Sequence, residues 1–579
     1  MSAPHITALA VGLVLALTSG ASAGAGAASP ASQTRPIAAI NGSFLQPWII
    51  DDLSDQQLAQ GASYLRRAGL TQQVLQWTAD SGTKTAVFPS GIPGYTQSTS
   101  TDVLERTLSA ADKAGLTEYV GLQISDEWWT ELAQDTTWLT SQAAFANQLA
   151  DRIWARYGSH ASFGGWYLAF EVDNWNFTTQ ASWAALANFY TTVANHLHAI
   201  TPGMPVIISP FYNPAGGLTS AQWTAMWTYI LRNAPIDVIA LQDGFGAGHA
   251  TTAQLAEWFS ATASAIAAAR VSTQLWDNVE TYTLPANSLD ISTVVANMNQ
   301  VKPYVTNILS FSYDHYDSPL LVDPAYDLTY RQYLRTGRVE TTPPSAPSDL
   351  VASVVDAQTV KLTWNASTDN IGVVGYRVFR NGALLDTIHG TATSFTDTAL
   401  PHLASASYFV AAFDAAGNVS GDSRSASVIL SSSLADHAPY TASLAADPWY
   451  PDSGKELTDG VFGTPTYTDP AWQGRSTPSP YSFTVDLGTT RTVEEIHSNW
   501  LQAQAAYIFL PAKLEVETSA DGKTFTPAGI IMAPAVSPAD QSAEYRLTGL
   551  NVSARYVRVT VTPASYIWTF TDELEVLGN

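Results

Sequence analysis

The sequence predicts an α/β domain built as a (β/α)8 TIM barrel, followed by two all-β domains. Three observations lead there. Over about residues 36–337, eight apolar strand-like runs alternate with amphipathic helical stretches. The Pro/Ser/Thr-rich run Thr341-Thr342-Pro343-Pro344-Ser345-Ala346-Pro347 then breaks the pattern as a linker would. Beyond it, apolar residues recur with period two, and a second boundary falls near Ser431-Ser432-Ser433. A length of 579 residues accommodates this, and 46% hydrophobic residues make the composition globular.

The candidate barrel strands are Ile37–Ile40, Gln73–Trp77, Glu118–Ile124, Gly165–Glu171, Pro205–Ser209, Ile236–Leu241, Thr273–Glu280 and Asn307–Ser312. Stretches such as Ser141–Arg156 and Thr251–Arg270 fall between them as helices. An open doubly wound sheet is the alternative, but it calls for a Gly-rich phosphate loop after the first strand, where none stands. At the N-terminus, the short apolar run Ile6–Leu17 precedes the small-residue sites Ala21-Ser22-Ala23 and Ala25-Gly26-Ala27. Residues 1–27 therefore read as a signal peptide, although its first residues carry no Lys or Arg, and the protein as secreted and extracellular. No later run reaches the length of a membrane span.

Composition narrows the chemistry. The formal net charge of −24 argues against nucleic acid and anionic membrane surfaces as partners. With no cysteine, disulfides, thiolate catalysis and Cys-based metal sites are excluded. No His-Glu-x-x-His pattern or Walker loop is present, and the one Gly-x-Ser-x-Gly match, Gly20–Gly24, lies in the leader. Catalysis without a cofactor, by a monomer, is the expectation.

Barrel active sites sit where the strands end. Here those ends read Asn41–Trp48, Gln76-Trp77, Ser125-Asp126-Glu127-Trp128-Trp129, Phe170-Glu171-Val172-Asp173-Asn174-Trp175, Ser209–Asn213, Gln242-Asp243-Gly244, Glu280-Thr281-Tyr282 and Ser312-Tyr313-Asp314-His315-Tyr316. Carboxylates, amides and aromatic rings recur at one end of nearly every strand. Thirteen of the 18 Trp lie in the barrel segment, which makes that lining more than ordinary loop polarity. Such a lining suits a sugar, because ring faces stack on C–H faces and polar groups bond the hydroxyls. Glycoside hydrolysis needs two carboxyl groups, one protonated and one ionised. Glu171 after strand four and Glu280 after strand seven, on roughly opposite sides of the mouth, form the candidate catalytic pair. Trp48, Trp77, Glu127, Trp128, Asp173, Asn174, Trp175, Tyr212, Asp243, Tyr282, Tyr313 and Asp314 are the candidate substrate-binding residues. Several have a second reading: Asp173 as a helix cap, Asp243 as a turn residue or a support for Glu280, and Trp128 and Trp129 as a buried lid.

Four resemblances add to this. The placement of Glu171 and Glu280 resembles the clan of retaining glycosidases with an acid/base Glu on strand four and a nucleophile Glu on strand seven. That clan's Asn-Glu pair is absent, because Phe170 precedes Glu171, so the helper amide has to come from elsewhere, with Asn174 a candidate. Gly164-Gly165-Trp166-Tyr167-Leu168 through Glu171, with Leu241-Gln242-Asp243-Gly244, resembles the DUF4434 type of barrel, a family described as glycosyl hydrolases. Residues 343–432, with Leu362-Thr363-Trp364, Tyr376-Arg377-Val378 and Asp414–Ser420, resemble a fibronectin type III domain, which implies an immunoglobulin-like sandwich acting as a spacer. Residues 438–579, with Leu457–Gly460, Trp472-Gln473-Gly474, Val485–Gly488, Ser519–Gly522, Ala554–Val559 and Asp572–Val576, resemble a discoidin-like, coagulation factor 5/8 type C module. That resemblance implies a jelly roll, carbohydrate binding, and a structural calcium held partly by Asp459 and Glu573; the alternative makes both turn and edge-strand residues. Trp449, Tyr450, Trp500, Tyr507 and Trp568 are its candidate ligand aromatics, one or two of them expected to be exposed. Together these imply a secreted glycoside hydrolase with a carbohydrate-binding module. The alternatives are a non-catalytic glycan-binding or adhesive protein and a transglycosylase.

Overall fold

The computed structural model describes residues 37–579 except 132–134, 357–358, 399, 401–404, 430–432, 536–538, 565–567 and 579. The signal-peptide reading of 1–27 lies outside the described residues. The first domain is a closed parallel barrel of β1 (Gly42–Leu45), β2 (Gln72–Leu75), β3 (Thr117–Gly121), β4 (Phe163–Leu168), β5 (Val206–Ile208), β6 (Val238–Gln242), β7 (Gln274–Glu280) and β8 (Asn307–Phe311). Helices Asp55–Arg67, Val103–Ala114, Thr136–Tyr157, Gln180–Ile200, Ser220–Asn233, Thr252–Ala269, Ile291–Val301 and Pro324–Thr336 pack around it. Closure by β1 against β8 settles the choice against an open sheet.

The first strand is not Ile37–Ile40 but Gly42–Leu45. Ala38 and Ile40 are buried under the last helix, where Tyr333 donates from its hydroxyl to the Ala38 carbonyl and the Ile40 N–H donates to the Tyr330 oxygen, both at 2.7 Å. All four residues of β1 are buried, so no alternation marked it as a strand. Gly42 permits its close pairing: a Cβ there would stand 2.6 Å from Leu309 Cδ2 and 2.9 Å from Gln72 Cβ.

Strand alternation sorts the barrel residues. Phe44, Val74, Tyr119, Tyr167, Ile207, Val238, Ala240, Trp276 and Leu309 fill the interior as one cluster. The residues two further along β4, β6 and β7 therefore point into the mouth, and the residues that alternate with them point out to the helices. Other large aromatics belong to the outer core: Trp166, Trp223 and Trp227 are fully buried.

The middle domain, Ser348 to Ile429, stacks a three-stranded sheet (Ser348–Asp356, Thr359–Asn365, Ser394–Asp397) and a four-stranded one (Ala383–His389, Val373–Arg380, Ser405–Asp414, Ala426–Ile429). It packs directly on the barrel: Val374, Phe413 and Ala415 share a buried cluster with Ile291, Val294 and Tyr326. The Ile291 N–H donates to the Ala415 carbonyl at 2.9 Å. The C-terminal domain is all-β, built on the long strand Tyr481–Gln502 paired with Val552–Pro563, Trp568–Gly578 and Gln541–Leu547. Among the described residues no helix is long and apolar enough to cross a membrane.

Candidate active site

The mouth of the barrel is built by inward-facing residues at the strand ends. On β4 the parity of Tyr167 continues through Ala169 to Glu171; on β6 it reaches Gln242, and on β7 Asn278 and Glu280. Glu171 and Glu280 thus face the same space, close enough that the charge on each raises the pKa of common neighbours such as Tyr282. Gln242 Nε2 donates to Glu171 Oε1 at 3.0 Å and to the Ser209 carbonyl at 2.9 Å. Burial raises the Glu171 carboxyl to about 7, with Asp173 adding to the rise and the Gln242 hydrogen bond opposing it. Glu280 is 3% exposed, and its Oε2 accepts the Ala247 N–H at 2.7 Å. Burial pushes its pKa well up, with Asp243 and Glu171 acting the same way and the Ala247 and Gly246 amides opposing.

Behind Glu280, on the helix side of the strands, lies a buried acidic pair. Asp243 Oδ1 accepts the N–H groups of Phe245 at 3.1 Å and Glu280 at 3.2 Å, and its Oδ2 accepts from Asn297 Nδ2 at 3.3 Å. Asp243 thus makes its turn and fixes the Glu280 backbone. Asp277, fully buried, has no hydrogen-bond partner on either oxygen among the described residues. Lacking donors, it is the member of the Asp243, Asp277 and Glu280 group that keeps its proton, and burial holds its pKa well up. The folded state therefore holds this proton more tightly than the unfolded chain does. The resulting stability is full below the ordinary Asp range and is lost as pH rises toward the folded value. Asp277→Asn is expected to stabilise the protein by about 1–3 kcal/mol near pH 8 and to give no gain near pH 4. Thermal melts at the two pH values check this; an equal effect at both would show that ionisation of Asp277 is not the cause.

The other sequence candidates divide. Trp48 and Trp175 stand exposed at the rim, at 55% and 49%, and Trp77 is half-buried. Tyr282 lies between the carboxylates and the rim, stacked on Tyr316 at 5.4 Å. Glu127 is exposed and accepts from Trp138 Nε1 at 2.9 Å. Six residues turn out to be structural. Trp128 is buried, stacks on Phe170 at 4.8 Å and donates through Nε1 to the Glu171 carbonyl at 2.8 Å, so it braces the site and offers no face. The exposed platform is its neighbour Trp129, at 50%. Asp173 caps its own loop by accepting the Trp175 and Asn176 N–H groups at 2.6 and 2.7 Å. Asn174 Nδ2 donates to the carbonyls of Asn213, Gly216 and Leu218, which pins the next loop, so the amide beside Glu171 is Gln242 and not Asn174. Tyr212 and Tyr313 are core: Tyr212 stacks on Trp258 at 4.7 Å, and Tyr313 donates to Asp327 Oδ1 at 2.7 Å. Asp314 is buried and faces the helix layer, in a small cavity beside Gly61 and Leu320.

Sequence reasoning passed over Gln242, Asn278 and Gln46 as site residues. Gln46 continues the inward parity of Phe44, and its Oε1 is buried without a partner among the described residues. Period-two counting from the apolar interior residues was the signal that finds them.

In the C-terminal domain Trp449 (86%) and Tyr507 (64%) are exposed, Trp500 is buried, and Tyr450 and Trp568 are intermediate, with rings 5.3 Å apart. Trp568 donates its N–H to the Tyr507 carbonyl, so these aromatics share one loop end. Glu573 Oε2 accepts the Gly460 N–H at 2.8 Å. Burial raises Glu573 to about 9, and Glu575, Asp459 and Asp572 add to the rise.

Residues 40–322 match the family described as Domain of unknown function (DUF4434), and residues 435–574 match the F5/8 type C domain. An alpha-amylase of Niallia circulans is 45% identical over 87 residues, which are 15% of this chain and 7% of that protein. Chitinase Chi52 of Paenibacillus xylanexedens is 43% identical over 103 residues, 17% of this chain and 19% of that protein. The chain spans less than a fifth of the length of either relative. Among solved structures, SpGH29 aligns over 93% of this chain and 95% of its own, at 10% identity and a TM-score of 0.32.

Proposed function

We propose that the protein is a secreted, retaining glycoside hydrolase that acts on a poly- or oligosaccharide. Glu171 is its acid/base and Glu280 its nucleophile. The observation that carries this reading is the pair itself: two carboxyls converge on one aromatic-rimmed barrel mouth, one bonded by Gln242 and raised to about 7, the other aimed by the Ala247 amide. A carboxyl near 7 is protonated often enough at neutral pH to serve as acid and basic enough to serve later as base. Glu280, with amide donors on its oxygen and the unpartnered Asp277 holding a proton nearby, is suited to carry the negative charge that attacks the anomeric carbon.

The reading extends to the rest of the chain. The middle domain is a fibronectin type III sandwich, a reading supported by its three-stranded and four-stranded sheets. The C-terminal module binds glycan through the loop end that carries the exposed Trp449 and Tyr507 and the half-buried Trp568, and raises substrate concentration at the barrel. Asp459 and Glu573 hold a structural calcium. In support, Glu573 lies close to Asp459 and Asp572 and accepts an N–H from the turn that carries Asp459. The curated relatives named alpha-amylase and chitinase agree with a glycan-active protein.

A glycan-array screen followed by hydrolysis assays on the bound sugars tests the reading. Release of new reducing ends with the anomeric configuration of the substrate is expected; binding without turnover would leave an adhesive protein in its place. Trp449→Ala with Tyr507→Ala is expected to cut retention on an insoluble glycan by about 10²-fold or more. Hydrolysis of a soluble oligosaccharide should be unaffected, as measured by pull-down beside reducing-sugar release.

A further inference from the structure

A cleft of about 570 Å3 opens where the barrel rim meets the middle domain. Its size falls within the roughly 300–1,000 Å3 range of small-molecule sites. One wall is aromatic, formed by Trp48 and the His315-Tyr316 pair from the loop after β8. The lining also includes Asn287 and Ser288 from the loop after β7, with the Ser288 hydroxyl donating to the Tyr316 carbonyl, and His389 from the middle domain. The cleft is joined to the candidate catalytic centre by a run of rings: Tyr282 stacks on Tyr316 at 5.4 Å, Tyr316 on His315 at 4.1 Å, and His315 meets Trp48 edge-on at 5.9 Å. Tyr282 is the ring whose hydroxyl feels both Glu280 and Glu171.

We propose that this cleft is a further sugar-binding subsite, continuous with the barrel mouth, in which the middle domain supplies one wall. The proposal rests on the glycan-active reading above and adds a substrate class. Aromatic rings with polar side chains in the same lining are what a pyranose or furanose ring requires, with stacking on one face and hydroxyl bonding at the edge. Among the described residues, the charged side chains lining the cleft are Asp52 and Asp323, with no Lys or Arg. Both lining histidines are held below their ordinary pKa by burial and are neutral at pH 7. The subsite therefore accepts uncharged or amino sugars and repels uronates. It also makes the middle domain part of the binding surface, consistent with its packing on the barrel.

The test is 19F NMR of the full chain, labelled with 5-fluorotryptophan and carrying Glu280→Gln to stop turnover. The Trp48 and Trp129 signals are assigned by their loss in Trp48→Phe and Trp129→Phe. The probes are cellohexaose, laminarihexaose and N-acetylchitohexaose, with hexagalacturonate as the charged control. The Trp48 signal is expected to shift with at least one neutral hexasaccharide and not with hexagalacturonate. His389→Trp, which fills the cleft from the middle-domain side, is expected to weaken that response about tenfold; His389→Ala should weaken it less, and the Trp129 response shows that each variant is folded. A response at Trp129 with none at Trp48 overturns the subsite and leaves the functional reading standing. No response at either ring overturns both.

Discussion

Glu280→Ala is expected to lower kcat by about 10⁴-fold or more, because it removes the group that forms the covalent intermediate. Three features make this residue the point of greatest leverage. It ends β7 on the inward parity, it is 3% exposed, and the Ala247 N–H fixes one of its oxygens. The truncation also leaves a cavity under the anomeric carbon. Azide should enter that space and attack in place of the carboxylate. With an activated aryl glycoside, the C–O bond to the phenolate breaks as the C–N bond to azide forms, giving a glycosyl azide of inverted configuration. Rescue with that stereochemistry identifies Glu280 as the nucleophile. Wild-type turnover without azide, or rescue that retains configuration, would remove it from that role. Glycan retention by the C-terminal module should be unchanged, since that module is a separate all-β domain with its own core.

Much of the architecture was legible in the sequence because it rests on patterns that burial imposes. Seven of the eight barrel strands overlap the predicted runs, since each is an apolar stretch between helices with clear amphipathic faces. The missed strand, Gly42–Leu45, is short, wholly buried and begins with glycine, so it has neither alternation nor β propensity to mark it. The site was legible at the level of strand ends and blurred within them. A strand end presents successive residues to opposite faces, so Gln242 enters the mouth while Asp243 turns to the helices. The eye is drawn to the aspartate because carboxylates carry chemistry. The same blur made Trp128 a candidate and left Trp129 in second place. Asn174 and Tyr212 show a different limit: whether a polar or aromatic side chain is consumed by its own loop depends on contacts with residues 39 and 31 positions away. No spacing rule contains those contacts.

Glu171→Gln tests the other half of the mechanism, and its signature is dependence on the leaving group. An amide at this position cannot protonate the glycosidic oxygen, so kcat on natural oligosaccharides should fall by about 10²–10⁴-fold. A dinitrophenyl glycoside needs little protonation to depart, so its first, bond-breaking step should be nearly spared and its burst of phenolate retained. Loss of activity that is equal for both substrates would indicate a collapsed site instead of a missing acid. The pH profile gives an independent reading. Burial raises the Glu171 carboxyl from the ordinary glutamate range to about 7, and the acid must be protonated to act. The basic limb of kcat/KM is therefore expected near pH 7, with activity falling above it. Gln242 donates to the ionised form, which holds the pKa down. Gln242→Leu removes that bond, favours the protonated carboxyl and should move the basic limb to higher pH, while Gln242→Glu, if it ionises, moves it further in the same direction by like-charge repulsion. A limb that stays in place in Gln242→Leu would mean that Glu171 is not the group that titrates.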